Sequence, residues 1–379
     1  MKRTLGLWVL VVLVLAAVAV GQIDKIVIAA GTPEDQALEA ITKETDGQKK
    51  IAMYQDFLQK FASNPAAVAY GNWQLAQEYQ TAGDLQKAFE CGDKAVTAAP
   101  HNFDILVSQA TIAQKLNDAA KMFDYSEKAG QAYEGIGKGP KPEGMSDQDF
   151  EVQVASDKDA VKSSYDFLEG VGFTAITDEK DPKKRMSYIE RFTAAYPSSN
   201  YQDRVSQYAI YTLGPGQLND TARLIAFGEK TLAANPNSVP TLLQLANTYG
   251  DESKPASIAK AVTYSQKVIT LTKADEPDAD KARKLTAGVA HSTLGYAYMK
   301  QEKTVAAVSE FKAAAALLKG QDEVSYATAL YRLGFAYAKL KRNTEAREVL
   351  TEAVKIPGPL QAPSQDLLLK VNAARAQGK

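Results

Sequence analysis

The feature that most constrains this chain is a pattern of residues that occurs twice near its C-terminal end. The two stretches are LGYAYMK at 294–300 and LGFAYAK at 333–339. In both copies an alanine follows the glycine by twelve residues, a large apolar residue follows four later, and a second alanine three after that. A pattern repeated with constant internal spacing predicts a stack of small units rather than one globular core.

Each unit reads as two amphipathic helices, because its apolar and small residues recur at intervals of three and four. In the first copy the helices carry Leu294, Gly295 and Tyr298, then Ala307, Phe311 and Ala314. The polar residues 301–303 form a link short enough to join antiparallel neighbours. Small residues at Gly295 and Ala307 predict a close helix crossing, with Phe311 filling the space beside it.

This pattern resembles the tetratricopeptide repeat (TPR) family, whose unit is a helix–turn–helix of about 34 residues. The best earlier match to its small-residue, tyrosine, glycine, alanine and proline signature is Ala76, Tyr79, Gly83, Ala88, Ala95 and Pro100. Intervals of 49 residues from Ala246 to Gly295 and 39 from Gly295 to Gly334 indicate insertions. The resemblance implies an all-α fold, an α-solenoid of stacked TPR-like repeats, in which residues 33–68 and 182–236 are degenerate units.

Changes in composition and the positions of glycine and proline divide the chain into six segments. A Gly/Pro-rich stretch at 135–144 is the least helical part of the sequence, and a long loop there is a hinge, a spacer or a binding loop. We therefore predict a signal peptide or anchor at 1–21, an N-terminal array at 22–134, a linker at 135–149, a degenerate helical segment at 150–198, a C-terminal array at 199–360, and a capping helix and tail at 361–379.

The N-terminus has the layout of an export signal. Lys2 and Arg3 precede an uncharged run from Leu5 to Val20, and small residues stand at Ala19 and Gly21. The run lies between signal-peptide length and membrane-spanning length, so cleavage and retention as an anchor both stay open. Either way we expect an exported bacterial protein whose body is periplasmic, or anchored in the inner membrane and facing the periplasm. Membrane contact is expected only through this segment, if it is uncleaved.

Little in the composition points to catalysis or to nucleic acid. The chain has 44 Lys+Arg against 45 Asp+Glu, so no net field attracts nucleic acid. Its single cysteine, Cys91, cannot form an intrachain disulfide, and its two histidines, His101 and His291, show no metal-ligand spacing. No GxxxxGK phosphate loop or GxSxG motif occurs. We expect no enzyme activity, no cofactor and no metal.

The resemblance implies that the first helices of the units line a concave groove that binds a partner peptide or helix. Aromatic residues beside glutamine, asparagine and lysine suit such contacts. The corresponding candidate partner-binding residues are Tyr70, Trp73, Gln77, Gln80, Thr111, Gln114, Lys115, Asn247, Tyr296, Lys300, Tyr331, Phe335 and Lys339. The positions that hold a C-terminal carboxylate in some family members carry Trp73, Gln77, Ser108 and Thr293 here, which implies that this clamp is absent.

Two functional hypotheses remain from the sequence. One is a non-catalytic protein–protein interaction scaffold of the cell envelope. The alternative is a ligand-capturing module that holds a peptide or a glycan and feeds an envelope machine. A scaffold predicts a long open face across several units, whereas a ligand module predicts one pocket with convergent polar groups.

Overall fold

A computed structural model describes residues 23–377. Within that range the regular structure consists of α-helices, with no β-strand, as the sequence predicts for an all-α repeat fold. The predicted signal or anchor segment, residues 1–21, lies outside the described residues. The chain divides into two compact units at Tyr201/Gln202.

The first unit contains eight helices over its described residues. They are α1 (Pro33–Lys43), α2 (Gly47–Lys60), α3 (Pro65–Thr81), α4 (Leu85–Ala98), α5 (Phe103–Leu116), α6 (Ala119–Gly135), α7 (Asp147–Asp178) and α8 (Pro182–Ala195). Each helix contacts the next one along the chain. Its N-terminal core packs Ile41, Tyr54, Phe57 and Leu75 together, and the extended residues before α1 add Ile28 to that core. These leading residues form no strand and cover the first hairpins instead.

The second unit contains nine helices over its described residues. They are α9 (Gln202–Leu213), α10 (Thr221–Ala234), α11 (Val239–Asp251), α12 (Pro255–Thr272), α13 (Lys281–Lys300), α14 (Thr304–Leu318), α15 (Glu323–Lys339), α16 (Asn343–Val354) and α17 (Gln361–Gln377). Alternate helices also touch, as in α11–α13, α13–α15 and α15–α17. Such contacts are those of hairpins stacked side by side, with α17 beside the last one.

The middle of the chain departs from a regular array of hairpins. Residues 147–178 form one continuous helix of 32 residues. Gly170 and Gly172 lie within this helix without breaking it. They stand where the side chains of Tyr201 and Ser126 approach the helix backbone closely. The expected degenerate unit at 182–236 is not one hairpin, since α8 contacts α6 and α7 while α9 pairs with α10.

The two helices of a hairpin meet closely where one of them carries glycine. A Cβ atom added to Gly295 would lie 2.6 Å from the Phe311 ring, and one added to Gly334 would lie 2.6 Å from Leu350. Phe311 and Leu350 are both almost completely buried. The repeated glycine therefore makes room for the large apolar residue sixteen positions later, which explains the spacing seen in the sequence.

Turns inside the hairpins reuse one backbone arrangement. A residue one or two positions after the end of the first helix adopts a left-handed conformation, and the next amide donates a hydrogen bond back into the helix, as in a Schellman motif. Lys303 and Arg342 donate to the carbonyls of Tyr298 and Tyr337, each at 2.9 Å. Four hairpins have such a left-handed residue, at Gly83 (φ 81°), Asn117 (φ 54°), Glu302 (φ 61°) and Lys341 (φ 60°).

Polar ties join the second helix of one hairpin to that of the next. On α10, Glu229 accepts hydrogen bonds from Lys260 at 2.7 Å and from Tyr264 at 2.9 Å, both on α12. Tyr249 on α11 also donates to Glu229 at 2.7 Å. In the first unit, Asp93 on α4 accepts in the same way from Lys121 and Tyr125 on α6. In both cases, a lysine and a tyrosine four residues apart therefore donate hydrogen bonds to a carboxylate on the second helix of the preceding hairpin.

The hydrogen bonds to Glu229 are accompanied by shifts in the pKa values of Glu229 and Tyr264. Burial opposes ionisation of this carboxyl, yet its pKa lies below the usual value, because Lys260, Tyr249 and Tyr264 all donate hydrogen bonds to it. Burial and the Glu229 carboxylate raise the pKa of Tyr264 to about 12. Glu229 is therefore charged and Tyr264 neutral at physiological pH, and the tie is intact there.

We predict that Gly295→Ala destabilises the second unit, although alanine normally stabilises a helix interior relative to glycine. The new methyl group would overlap Phe311, so we expect a loss of about 1–3 kcal/mol in the free energy of unfolding, measured by urea denaturation. Gly250→Ala is the matched control, since its Cβ would meet Thr293 at 3.6 Å, an ordinary contact. Equal effects of the two substitutions would contradict the close crossing.

We predict a pH-dependent effect for Glu229→Gln. The pKa of Glu229 is lowered in the folded state, so the ionised carboxylate stabilises the fold above the usual pKa of 4.5, and this stabilisation is lost as the pH falls through the folded-state pKa. The variant should unfold more easily by about 1 kcal/mol at neutral pH, and this difference should shrink in acid. Glu348→Gln, at an exposed site, is the control. A difference that grows in acid would refute the tie.

Candidate functional site

The structure places all thirteen predicted partner-binding residues on first helices of the hairpins. Tyr70, Trp73, Gln77 and Gln80 lie on α3, and Thr111, Gln114 and Lys115 lie on α5. The other six, Asn247, Tyr296, Lys300, Tyr331, Phe335 and Lys339, lie on α11, α13 and α15. The set therefore falls into two groups, one in each unit.

The group in the first unit is partly brought together. Gln77, Gln80 and Lys115 line one open cavity of about 480 Å³ between α3 and α5. Tyr70 and Trp73 contact each other edge to face, with ring centroids 6.2 Å apart. Thr111 does not join the cavity, because its hydroxyl donates to the carbonyl of Val107 at 2.8 Å, within its own helix. This cavity offers amides, hydroxyls and one lysine, and little apolar surface.

In the second unit, α15 leaves an apolar stripe uncovered. Val324 is 53% exposed and Phe335 is 48% exposed, and half-buried Thr328 and Tyr331 lie between them at helical spacing. The other large apolar residues of this helix, such as Leu330 and Leu333, are buried in the stack. Large apolar side chains on packed helices are usually buried. This exposed stripe is therefore a surface that can contact another molecule.

Two cavities lie on either side of Arg332 on α15. A polar one of about 250 Å³ is lined by α11, α13 and α15 and includes Asn247, Asp251 and Tyr296. A more apolar one of about 400 Å³ is lined by Val324, Tyr331 and the loop residues 357–360. Thr328 and Arg332 line both cavities. Tyr331 and Asn247, both predicted from the sequence, therefore belong to neighbouring cavities.

The Arg332 guanidinium is the dominant charge in the polar cavity. Its Nη1 donates to the Ser292 hydroxyl at 2.9 Å and to the Ser292 carbonyl at 3.3 Å, and it stacks 4.7 Å from the centre of the Tyr296 ring. Among the described residues no carboxylate lies within ion-pair distance of it. Burial therefore lowers the pKa of Arg332, and the charge of nearby Asp251 only partly opposes this.

Lys300 is predicted as a partner-binding residue, but its ammonium group forms hydrogen bonds within the second unit. Its ammonium donates to the carbonyls of Gly250, Asp251 and Glu252 at 2.7, 3.1 and 3.0 Å. A cation at these carbonyls satisfies the C-terminal end of α11 and suits the negative end of the helix dipole. Lys300 also lies 4.8 Å from the centre of the Tyr296 ring. It therefore fixes the wall of the cavity and has no ammonium hydrogen left for a partner.

The cysteine and the histidines show no catalytic arrangement in the part of the chain that the structure describes. Cys91 is buried in α4, and burial raises the pKa of its thiol, so it is a packing residue. His291 contacts Glu310 at 2.7 Å across the α13–α14 hairpin. His101 is half-buried, and its amide donates to the Asp24 carboxylate at 2.7 Å. Residues 23–377 contain no cluster of three His, Cys, Asp or Glu side chains that could hold a metal ion.

Arg332 and Asp251 were missed from the sequence, although the repeat contained a signal for one of them. Arg332 stands two residues before Gly334, and Thr293, which also lines the polar cavity, stands two residues before Gly295. In both hairpins, the residue two positions before the glycine therefore lines the polar cavity. Asp251 carries no such signal, because it reaches the cavity from the end of α11, in a hairpin whose spacing differs from that of the last two.

Among known families, residues 327–358 match the tetratricopeptide repeat. No curated protein matches this chain. Among solved structures, the TPR domain of P58(IPK) is similar at 12% identity and a TM-score of 0.34, over 92% of this chain and 99% of that chain. The TPR2AB domain of yeast Sti1, in complex with pHSP90, is similar at 13% identity and a TM-score of 0.28, over 80% of this chain and 98% of that chain.

The matched segment corresponds to one hairpin. It begins within α15, includes the whole of α16 and ends at Gly358. It contains the close crossing of Gly334 with Leu350 and the left-handed turn at Lys341. The α15–α16 hairpin thus matches a tetratricopeptide repeat, and it is set within a stack of helical hairpins.

Proposed function

We propose that this protein is a non-catalytic protein–protein interaction scaffold of the cell envelope, and that a peptide or helix of the partner binds to the first-helix face of the second unit. The observation that carries the proposal is the stripe on α15 formed by exposed Val324 and Phe335 and half-buried Tyr331, beside an apolar cavity of about 400 Å³ that Val324 and Tyr331 line. Aromatic residues beside a pocket are frequent anchors of protein interfaces.

The surroundings of the stripe suit a partner segment that is partly apolar and partly polar. Lys339 continues the stripe by one helical turn and is exposed. Beyond the cavity, Lys370 of α17 lies near enough to interact electrostatically with Tyr331. A partner side chain that enters the cavity would be covered by Pro357, Pro359 and Leu360. This combination of an apolar centre and a polar rim is typical of reversible protein interfaces.

The ligand-capturing alternative is supported by a separate observation, the polar cavity around Arg332. It has the convergent polar groups expected of a small-molecule site, whereas the stripe on α15 does not. The two hypotheses therefore concern different residues of the second unit and can be tested apart from each other.

We predict that Tyr331→Ala combined with Phe335→Ala abolishes capture of the partner while leaving the helicity unchanged. Phe335 is half exposed and Tyr331 is partly buried, so the loss of stability should be small compared with a core substitution. The measurement is a crosslinked pull-down from native envelope extracts, with circular dichroism as the folding check. Val305→Ala, at a residue of α14 that is 71% exposed, is the control for loss of apolar surface. A partner retained by the double variant would contradict the proposed site.

The envelope location rests on the N-terminal sequence and has its own test. If the export signal is cleaved after Gly21, mass spectrometry of the protein purified from cells should find Gln22 as the first residue; cleavage after Ala19 would leave Val20. An intact N-terminus in a membrane fraction would indicate an anchor. An intact N-terminus in the cytosolic fraction would contradict the proposed location. Within residues 23–377, no helix has the length and apolarity to cross a bilayer.

A further inference from the structure

The polar cavity of the second unit contains two opposite charges that do not neutralise each other. Arg332 enters it from α15, and Asp251 enters it from the last turn of α11. The Asp251 charge acts on the guanidinium, but the two groups form no ion pair. No described residue forms an ion pair with either side chain, and the guanidinium keeps only its contacts with Ser292 and Tyr296. The space between them is therefore a position for a molecule that has both a negative and a positive group.

The other groups around this space are neutral and fixed. The Thr293 hydroxyl lies within hydrogen-bond distance of the Asn247 side-chain oxygen and, at 3.1 Å, of the Val289 carbonyl. The Asn247 amide hydrogens have no partner among the described residues. Ser325 and Thr328 add hydroxyl groups from α15. Since Lys300 is saturated by the end of α11, Arg332 is the cation that remains for a ligand. The cavity thus offers one cation, one anion and several neutral donors and acceptors.

Cavity size and the remaining lining limit the ligand further. The volume of about 250 Å³ is below the range of about 300–1,000 Å³ that holds drug-sized ligands. The partly buried Val289 supplies apolar surface to the same cavity, and the buried side chain of Leu318 also lines it. A fitting ligand is therefore small and carries a carboxylate, an ammonium group and a short apolar part.

We propose that this cavity binds a free α-amino acid with a neutral aliphatic side chain. Its carboxylate pairs with the Arg332 guanidinium, its ammonium group faces Asp251, and its side chain lies against Val289 and Leu318. A planar guanidinium with unused hydrogens suits bidentate contact with a carboxylate. A carboxylate partner also compensates the cost of keeping this guanidinium half-buried and unpaired. The site goes beyond the proposed scaffold function and does not require it.

Isothermal titration calorimetry of the full chain tests the two charge contacts directly. We expect L-valine or L-leucine to bind, and N-acetyl-L-valine and L-valinamide, which each lack one of the two charges, to bind at least ten-fold more weakly. Equal affinity of N-acetyl-L-valine would show that only a carboxylate is recognised and would overturn the proposal. No heat from any of these compounds at millimolar concentration would also overturn it.

Substitutions assign the contacts to residues. Arg332→Gln and Asp251→Asn should each weaken L-valine at least ten-fold, whereas Asp251→Asn should leave the weak binding of N-acetyl-L-valine unchanged. Lys312→Gln and Glu348→Gln, at exposed sites of α14 and α16, are the matched charge controls. Tyr331→Ala with Phe335→Ala should retain L-valine binding, so that failure of this proposal is distinguishable from failure of the scaffold. Unchanged L-valine binding in Arg332→Gln would refute the site.

Discussion

The close crossing of the two helices in each hairpin is the constraint on which the rest of the structure depends. Where glycine meets a large apolar residue, as Gly295 meets Phe311 and Gly334 meets Leu350, the helix axes can approach and the space between them is filled. The crossing fixes which face of each helix is buried. The face of the first helix that points away from it is then left for other uses, and on α15 this face carries Val324, Tyr331 and Phe335.

Polar ties between second helices add to the helix packing that joins neighbouring hairpins. The Glu229–Lys260–Tyr264 tie in the second unit and the Asp93–Lys121–Tyr125 tie in the first join successive second helices through buried or half-buried polar groups. On the first-helix side, by contrast, the guanidinium of Arg332 has no carboxylate partner among the described residues. An unpaired charge and exposed apolar surface thus both lie on α15, a first helix that also packs against its neighbours.

Much of the fold could be predicted from the sequence, because the repeat acts through local spacing. The hairpin at Gly295 and Phe311 and the short link at 301–303 follow from periodicity, and the structure confirms them. The uninterrupted α7 and the role of Lys300 could not be predicted, since they depend on contacts between residues far apart in the chain. The cavity around Arg332 was missed for the same reason: its opposite charge, Asp251, is 81 residues away.

Site-specific photocrosslinking in cells tests the central claim, that a partner binds the first-helix face of α15. A photoreactive residue at Phe335 lies on the exposed stripe, and one at Val305 is more exposed but lies on α14, the second helix of the preceding hairpin. The account predicts a discrete protein adduct from position 335 and none from position 305. Equal adducts from both positions, or an adduct from position 305 alone, would contradict it.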